Sequence, residues 1–175
     1  MNRTLEIPTD KLSAEQKTVF DQLVAGRGRI LGPYKIWIHS PIVAAGMEHI
    51  GTFLNKRSSL STREVEIGIL VIPQHWDGEY VKQAHIKAGK AAGLTQEQID
   101  AILAGRDPSL TDPHEKAVHR FAVALASKIK LSDAEFADIE HVIGREGIAE
   151  VLVLLGYYTS VALGMKVHEV PIPQS

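Results

Sequence analysis

The sequence predicts an all-α protein, a compact bundle of about seven or eight helices. We expect residues 1–175 to form one domain, since this length is enough for a single hydrophobic core. Three observations indicate the class. Helix-start signatures recur along the chain, glycines stand where helices would end, and apolar residues keep the spacing of one helix face. The alternating pattern of a half-buried strand does not compete anywhere.

The helix starts are predicted by capping boxes, in which a small polar residue is followed three positions later by Glu or Gln. The two residues satisfy each other's free backbone N–H groups, which stabilises the first turn. Proline at the first helical position reinforces two of the starts, at Pro41 and Pro113. Helices are therefore predicted to begin near residues 13, 41, 61, 95, 112 and 132, with capping pairs Ser13/Gln16, Ser61/Glu64, Thr95/Gln98, Asp112/Glu115 and Ser132/Glu135.

Glycine predicts the helix ends, because it adopts the left-handed conformation that closes a helix at little cost. Gly93, Gly105 and Gly144 stand at such positions. The pair Asp77-Gly78 marks a further break, or at least a joint. Segments 28–40 and 170–175 are predicted to be irregular.

Composition excludes several classes of function. The chain contains no cysteine, which excludes disulfides, thiolate metal sites and any mechanism that uses a thiol nucleophile or a redox dithiol. The formal net charge is −2, and the Lys and Arg residues are scattered along the chain. We therefore expect no nucleic-acid partner.

Two features of the sequence bear on where in the cell the protein is found. The first twelve residues, MNRTLEIPTDKL, lack the apolar segment of a signal peptide, so a cytoplasmic protein is the expectation. The most apolar stretch, residues 148–165, contains Glu150 and Gly156 and is shorter than the roughly 20 apolar residues that span a membrane. We expect a buried core helix there and no membrane partner.

The window HWDGEYVKQAHIKAG, residues 75–89, gathers the side chains best suited to chemistry. A helix through it would place His75, Glu79 and Lys82 on one face, with His85 further round. An imidazole beside a carboxylate forms a general acid–base pair. Glu79 and His85, however, would lie roughly 120° apart on one helix and would need a groove closed by other helices.

Two other interpretations of this window stay open on the residues alone. One is a solvated amphipathic helix, in which Glu79 and Lys82 form an ion pair one turn apart. The other is a metal site with His75, Glu79 and His85 as ligands. Their spacing differs from the H-E-x-x-H pattern that presents two histidines one turn apart, so we expect no bound metal.

With the helices placed, the order of features resembles the carboxymuconolactone decarboxylase family, part of the alkylhydroperoxidase D-like superfamily. Peroxidase members carry the motif Glu-x-x-Cys-x-x-Cys-x-x-x-His. With its glutamate placed on Glu79, Lys82 and His85 occupy the two cysteine positions. The chain therefore resembles members without redox cysteines, and thiol peroxidase activity is excluded. Four stretches carry the resemblance: 39–54, 60–102, 112–125 and 144–173.

The resemblance implies a cofactor-free lyase or isomerase, acting by decarboxylation or proton transfer on a small carboxylated lactone or another enolisable organic acid. It also implies an alkylhydroperoxidase D-like fold and a homo-oligomer, commonly a trimer or hexamer. The alternative is a non-catalytic protein that binds small molecules or a partner with the same fold.

The same resemblance suggests roles for particular residues. Protonated His85 would donate to the developing enolate, and Glu79 would orient His85 or carry the proton. Trp76 and Tyr80 would form an apolar wall that excludes water. Lys82 would pair with the substrate carboxylate. The candidate substrate-binding residues are Trp76, Tyr80, Lys82, His75, His39 and Tyr34.

Overall fold

The computed structural model describes residues 3, 6–30, 32–127 and 130–172, and these ranges contain helices and no strands. The all-α prediction is confirmed, with eight helices in the described part of the chain. A short 3-10 turn, Thr9–Lys11, precedes them. The helices are α1 Ala14–Arg27, α2 Gly32–Trp37, α3 Pro41–Lys56, α4 Thr62–Trp76, α5 Glu79–Ala91, α6 Gln96–Leu103, α7 Pro113–Ala126 and α8 Asp133–Val167.

The predicted helix starts are confirmed because their signals are local. Asp112 differs from the other predicted caps in one respect. Its side chain accepts from the backbone N–H groups of His114 and Glu115, but the Glu115 carboxylate binds Arg63 instead of returning to the cap. Complete capping boxes are present at Ser13, Ser61, Thr95 and Ser132.

The predicted glycines take the left-handed conformation at Gly93 and Gly105. Gly144, with φ 67° and ψ 175°, is not helical, so the first helical part of α8 ends there and a second part continues beyond the kink. Asp77 is also left-handed, with φ 52°, and ends α4. The window 75–89 is therefore not one helix, because this residue turns the chain between α4 and α5.

The segment 28–40 was predicted to be irregular, and this is wrong in part. It contains the six-residue helix α2, whose first turn includes Pro33 with its fixed φ. In the tail, Val170–Ile172 is not helical, and the rest of the predicted irregular end lies outside the described residues.

Helix α4 forms the centre of the molecule. All residues from Glu64 to Pro73 are buried, as expected for a helix that is apolar on every side. Helices α5, α6, α7 and α8 pack around it. A second, smaller cluster joins α1, α2 and α3 through Leu23, Tyr34 and Ala44. Helices α2 and α3 contact α8, so the two clusters meet along that helix.

Helix α8 combines a buried side with an exposed apolar side. Within the described ranges it is the one helix long and apolar enough to cross a membrane, with a mean hydropathy of 1.6 over its most apolar window. Of that window, 56% is buried, against α4, α5 and α7 among others. This burial is what a core helix shows, as the sequence predicted. Leu152 and Leu163 on its other side are 48% and 41% exposed.

Candidate active site

A buried carboxylate–imidazole pair joins α4 to α5. His85 Nδ1 lies 2.7 Å from Glu66 Oε2. The Glu66 side chain is 8% exposed and that of His85 15%. Glu66 stands in the middle of the buried run of α4, where a carboxylate needs a strong partner to offset its desolvation. His85 supplies that partner from the facing side of α5.

Glu66 differs from the two other buried carboxylates of the described chain, which hold backbone in place. Glu64 caps α4 through the N–H of Ser61 and binds His114. Glu150 accepts three hydrogen bonds from the turn before α4. Glu66 has no such structural task, because its hydrogen bond among the described residues goes to His85.

The geometry leaves the other nitrogen of His85 available. A hydrogen bond from Nδ1–H to a carboxylate fixes the tautomer that has a lone pair on Nε2. The ring meets Tyr158 edge to face, with centroids 4.9 Å apart. Nε2 has no hydrogen-bond partner among the described residues, and the His85 side chain keeps 15% of its surface exposed.

Three tyrosines continue from His85 toward α2. Tyr158 packs edge to face on Tyr157, with centroids 5.1 Å apart. The hydroxyls of Tyr157 and Tyr34 lie 3.0 Å apart, and either can donate. Burial raises the pKa of all three phenols above its ordinary value, so they stay protonated at neutral pH. Each phenol is thus a hydrogen-bond donor.

Arg27 and Glu48 close the far end of this tyrosine layer. Arg27 lies over the Tyr34 ring, 5.1 Å from its centroid, and its Nε is 2.6 Å from Glu48 Oε2. Thr52 donates to the other Glu48 oxygen at 2.8 Å. Burial alone would raise the pKa of Glu48, but the hydrogen bonds from Arg27 and Thr52 outweigh it and lower that pKa.

The ion pair of Glu48 predicts a pH-dependent contribution to stability. Because its folded pKa lies below the ordinary value of 4.5, Glu48 stabilises the fold above that value and loses this effect as pH falls through the folded pKa. We expect Glu48→Gln to lower the free energy of unfolding at pH 7, with a smaller difference at pH 3. Urea unfolding at both pH values measures this. A difference that is the same at both would contradict it.

Gly51 allows the tyrosine layer to pack closely against the backbone of α3. A Cβ there would lie 2.6 Å from the Tyr157 hydroxyl and 3.1 Å from an Arg27 guanidinium nitrogen. We expect Gly51→Ala to lower the free energy of unfolding by about 1–3 kcal/mol, since the layer would have to shift. Gly46→Ala is the matched control on the same helix, because a Cβ at Gly46 meets nothing within 4 Å. It should stabilise by about 0.5–1 kcal/mol in thermal or urea unfolding.

A cavity of about 240 Å³ reaches Glu66 from the turn between α3 and α4. Asn55, Lys56 and Arg57 line it together with Ser58, so two cations stand at its mouth. The Asn55 amide donates to the backbone carbonyl of Gly51 at 2.7 Å, which fixes its position in the lining. The cavity therefore lies beside the carboxylate that contacts His85.

The structure separates Glu79 from His85. The Glu79 carboxylate accepts from Gln83 at 2.6 Å and from Lys82 at 3.1 Å on the surface of α5. These hydrogen bonds, that of Gln83 first, lower the Glu79 pKa. The predicted pairing of Glu79 with His85 is thus not observed, because six positions turn the two side chains to different sides of α5. Lys82 is likewise committed to Glu79.

The remaining predicted site residues lie in other places. His75 and Trp76, at the end of α4, line an open groove of about 1130 Å³ beside α8. Tyr80 lines a cavity of about 220 Å³ with Glu79. Tyr34 is 1% exposed in the tyrosine layer, and His39 is exposed after α2.

The candidate metal ligands are not brought together. His75, Glu79 and His85 occupy three separate environments. No group of three His, Asp or Glu side chains that could hold a metal ion is found in the described ranges.

The sequence profile of the carboxymuconolactone decarboxylase family matches residues 41–124. This range includes Glu66 and His85. Residues 41–124 belong to this family. This match confirms the resemblance to the family that the sequence predicted, in a chain that contains no cysteine. No curated protein matches the sequence.

Solved structures extend the likeness in fold from this family region to nearly the whole chain. A peroxidase-related protein of Ralstonia eutropha JMP134, described as an alkylhydroperoxidase AhpD core, superposes with a TM-score of 0.76 at 13% identity, over 99% of this chain and 93% of its own. One from Silicibacter sp. TM1040 gives 0.75 at 15% identity, over 98% and 92%. The debrominase Bmp8 gives 0.73 at 12% identity, over 97% and 91%. The alkylhydroperoxidase D-like fold is therefore confirmed.

The family region does not contain the whole candidate site. It includes Glu66, His85 and the cavity residues Asn55 to Arg57, but Tyr34, Tyr157 and Tyr158 lie outside it. The region that matches the family profile therefore supplies the carboxylate and the imidazole. Helix α8 supplies Tyr158, which packs on the His85 ring, and Tyr157, whose hydroxyl meets that of Tyr34 on α2.

Proposed function

We propose that this protein is a cofactor-free lyase or isomerase, in which His85 transfers a proton on a small carboxylated lactone or another enolisable organic acid. The observation that carries this proposal is the Glu66–His85 pair, which is largely buried and in which Nδ1 alone contacts the carboxylate. A pair of this kind needs no thiol, in agreement with a chain that has no cysteine.

The proposed proton transfer can serve either of two reactions. In an isomerisation, His85 Nε2 takes a proton from the carbon beside a carbonyl and returns it to another carbon of the same enolate. In a decarboxylation, the electrons of the breaking C–C bond form a dienolate as CO2 leaves, and the Nε2–H of a His85 imidazolium then protonates one carbon, which leaves His85 neutral. Glu66 stabilises the imidazolium that each route contains.

The surroundings of the pair supply the other requirements. Tyr158 stays protonated and lies against the His85 ring, so its hydroxyl can donate to a developing enolate oxygen. Lys56 and Arg57 at the cavity mouth can hold a substrate carboxylate. They are better placed for this than Lys82, which pairs with Glu79.

The test compares wild-type protein with His85→Ala on 4-carboxymuconolactone and related enolisable acids. CO2 release and ultraviolet absorbance report decarboxylation. In deuterium oxide, proton NMR reports exchange at carbon even where no net reaction occurs. We expect wild-type protein to catalyse one of these changes and the variant to lose about 10²-fold or more of the rate.

Two outcomes would overturn the proposal. Equal rates in wild type and His85→Ala would remove His85 from the reaction. Saturable binding of an acid, with neither turnover nor exchange in either protein, would establish the alternative of a non-catalytic binding protein. A cytoplasmic location stays a prediction and is independent of this experiment.

A further inference from the structure

The outer face of α8 forms a continuous exposed stripe after the kink at Gly144. The side chains on it recur every three or four residues, so they share one side of the helix. Thr159 and Ser160 are half-buried, and the others are exposed. The stripe consists of Glu146, Ala149, Leu152, Val153, Gly156, Thr159, Ser160, Leu163, Lys166 and Val167.

This stripe is self-complementary about Gly156. Glu146 and Lys166 stand ten residues on either side of it and carry opposite charges. Nearer to Gly156, each large apolar side chain stands at the position that mirrors a small side chain. Leu152 mirrors Ser160, and Leu163 mirrors Ala149. An antiparallel copy of the same helix, centred on Gly156, would therefore bring unlike charges and unlike sizes together.

The shape of the surface agrees with such a copy. A groove of about 1130 Å³ runs beside the second half of the stripe, with Thr159, Ser160 and Leu163 along one wall and Trp37 and Trp76 among its other residues. Leu152 and Val153, which are 48% and 42% exposed, lie in the first half and outside this groove. A Cβ at Gly156 would meet nothing within 4 Å, so the centre is open to close approach.

We propose that the outer face of α8 binds a second copy of the chain. The two α8 helices cross antiparallel at a two-fold axis through Gly156, and each copy inserts Leu152 and Val153 into the other's groove. Glu146 of each copy meets Lys166 of the other, which itself contacts Asp77 at 3.1 Å within its own chain. These exposed charges fix the orientation more than the affinity.

The charge arrangement favours a second copy over a lipid surface. A membrane would cover Leu152, Leu163 and Val167, but it would not require Glu146 and Lys166 to stand at mirrored positions. A two-fold contact also constrains the homo-oligomer that we expect. It generates dimers and, with one further interface, hexamers, but it cannot form a trimer alone.

Because the chain contains no cysteine, introduced cysteines give an unambiguous test of this geometry. Gly156→Cys should form a disulfide-linked dimer on mild oxidation, since the two-fold axis brings this position against itself. Ile42→Cys, at an 85% exposed site on α3, is the matched control and should not. Leu152→Cys and Ser160→Cys should cross-link when mixed and only weakly when oxidised alone. Cross-linking at Ile42 equal to that at Gly156 would overturn the proposal.

Charge reversal tests the orientation in solution. Sedimentation at several concentrations should show a dimer for the full chain. Glu146→Lys should weaken dimerisation by about tenfold at low salt, as should Lys166→Glu, and the double variant should recover it. A monomeric wild-type chain, a chain recovered with membranes, or a double variant weaker than both single ones would overturn the proposal. Circular dichroism confirms that each variant is folded.

Discussion

Replacing Glu66 by glutamine should reduce kcat/KM by about 10²- to 10⁴-fold, whereas the same change at Glu79 should leave it within about twofold. Glutamine keeps the size of Glu66 but not its charge, so the imidazolium of His85 loses its stabilising partner. The amide can also present an N–H to Nδ1, which favours the wrong tautomer. Glu79 contacts Lys82 and Gln83 on the surface, and its charge lies outside this pair.

A structural role for Glu66 would give a different set of results. Nitrogen NMR of the His85 ring should show the tautomer change in Glu66→Gln, while Glu79→Gln keeps the wild-type spectrum. The kcat of Glu66→Asp should lie between those of wild type and Glu66→Gln, because a shorter carboxylate keeps the charge but lengthens the hydrogen bond. Loss of activity that tracks loss of thermal stability, with an unchanged tautomer, would contradict the assignment. So would equal losses at Glu66 and Glu79.

The fold was predictable because its signals are local. A capping box such as Ser61/Glu64 involves residues within one turn, and a left-handed Gly93 depends on its own backbone. Asp77 shows where such signals stop being sufficient. Asp77-Gly78 indicated a break or a joint, but the sequence did not decide between a joint within one helix and a turn between two.

The site was only half predictable, because its central contact is not local. His85 was predicted from the resemblance to the family, while its partner Glu66 lies 19 positions earlier on another helix. The angle between α4 and α5 brings them together, and no spacing within one helix encodes that angle. One signal could have identified Glu66. It is a lone carboxylate in the apolar run 65–73, and a buried carboxylate requires a partner.

Glu150→Ala should lower the free energy of unfolding by about 3 kcal/mol or more, the second large effect that we expect. One Glu150 oxygen accepts from the Ser58 hydroxyl at 2.7 Å and from both the N–H and the hydroxyl of Ser59 at 2.9 Å. The carboxylate is buried on α8 and holds the turn that leads into α4. Alanine would leave these three donors without their acceptor and would open a hole between α8 and the turn.

The consequence for function follows from the position of that turn. Ser58 and Leu60 line the cavity that reaches Glu66, while His85 belongs to α5 and keeps its partner. Glu150→Gln, which retains one acceptor oxygen, should therefore cost less stability than Glu150→Ala and raise KM more than it lowers kcat. Urea unfolding and steady-state kinetics of the two variants measure both effects. If Glu150→Ala unfolded like wild type, Glu150 would not hold the turn, and the cavity would depend on other contacts.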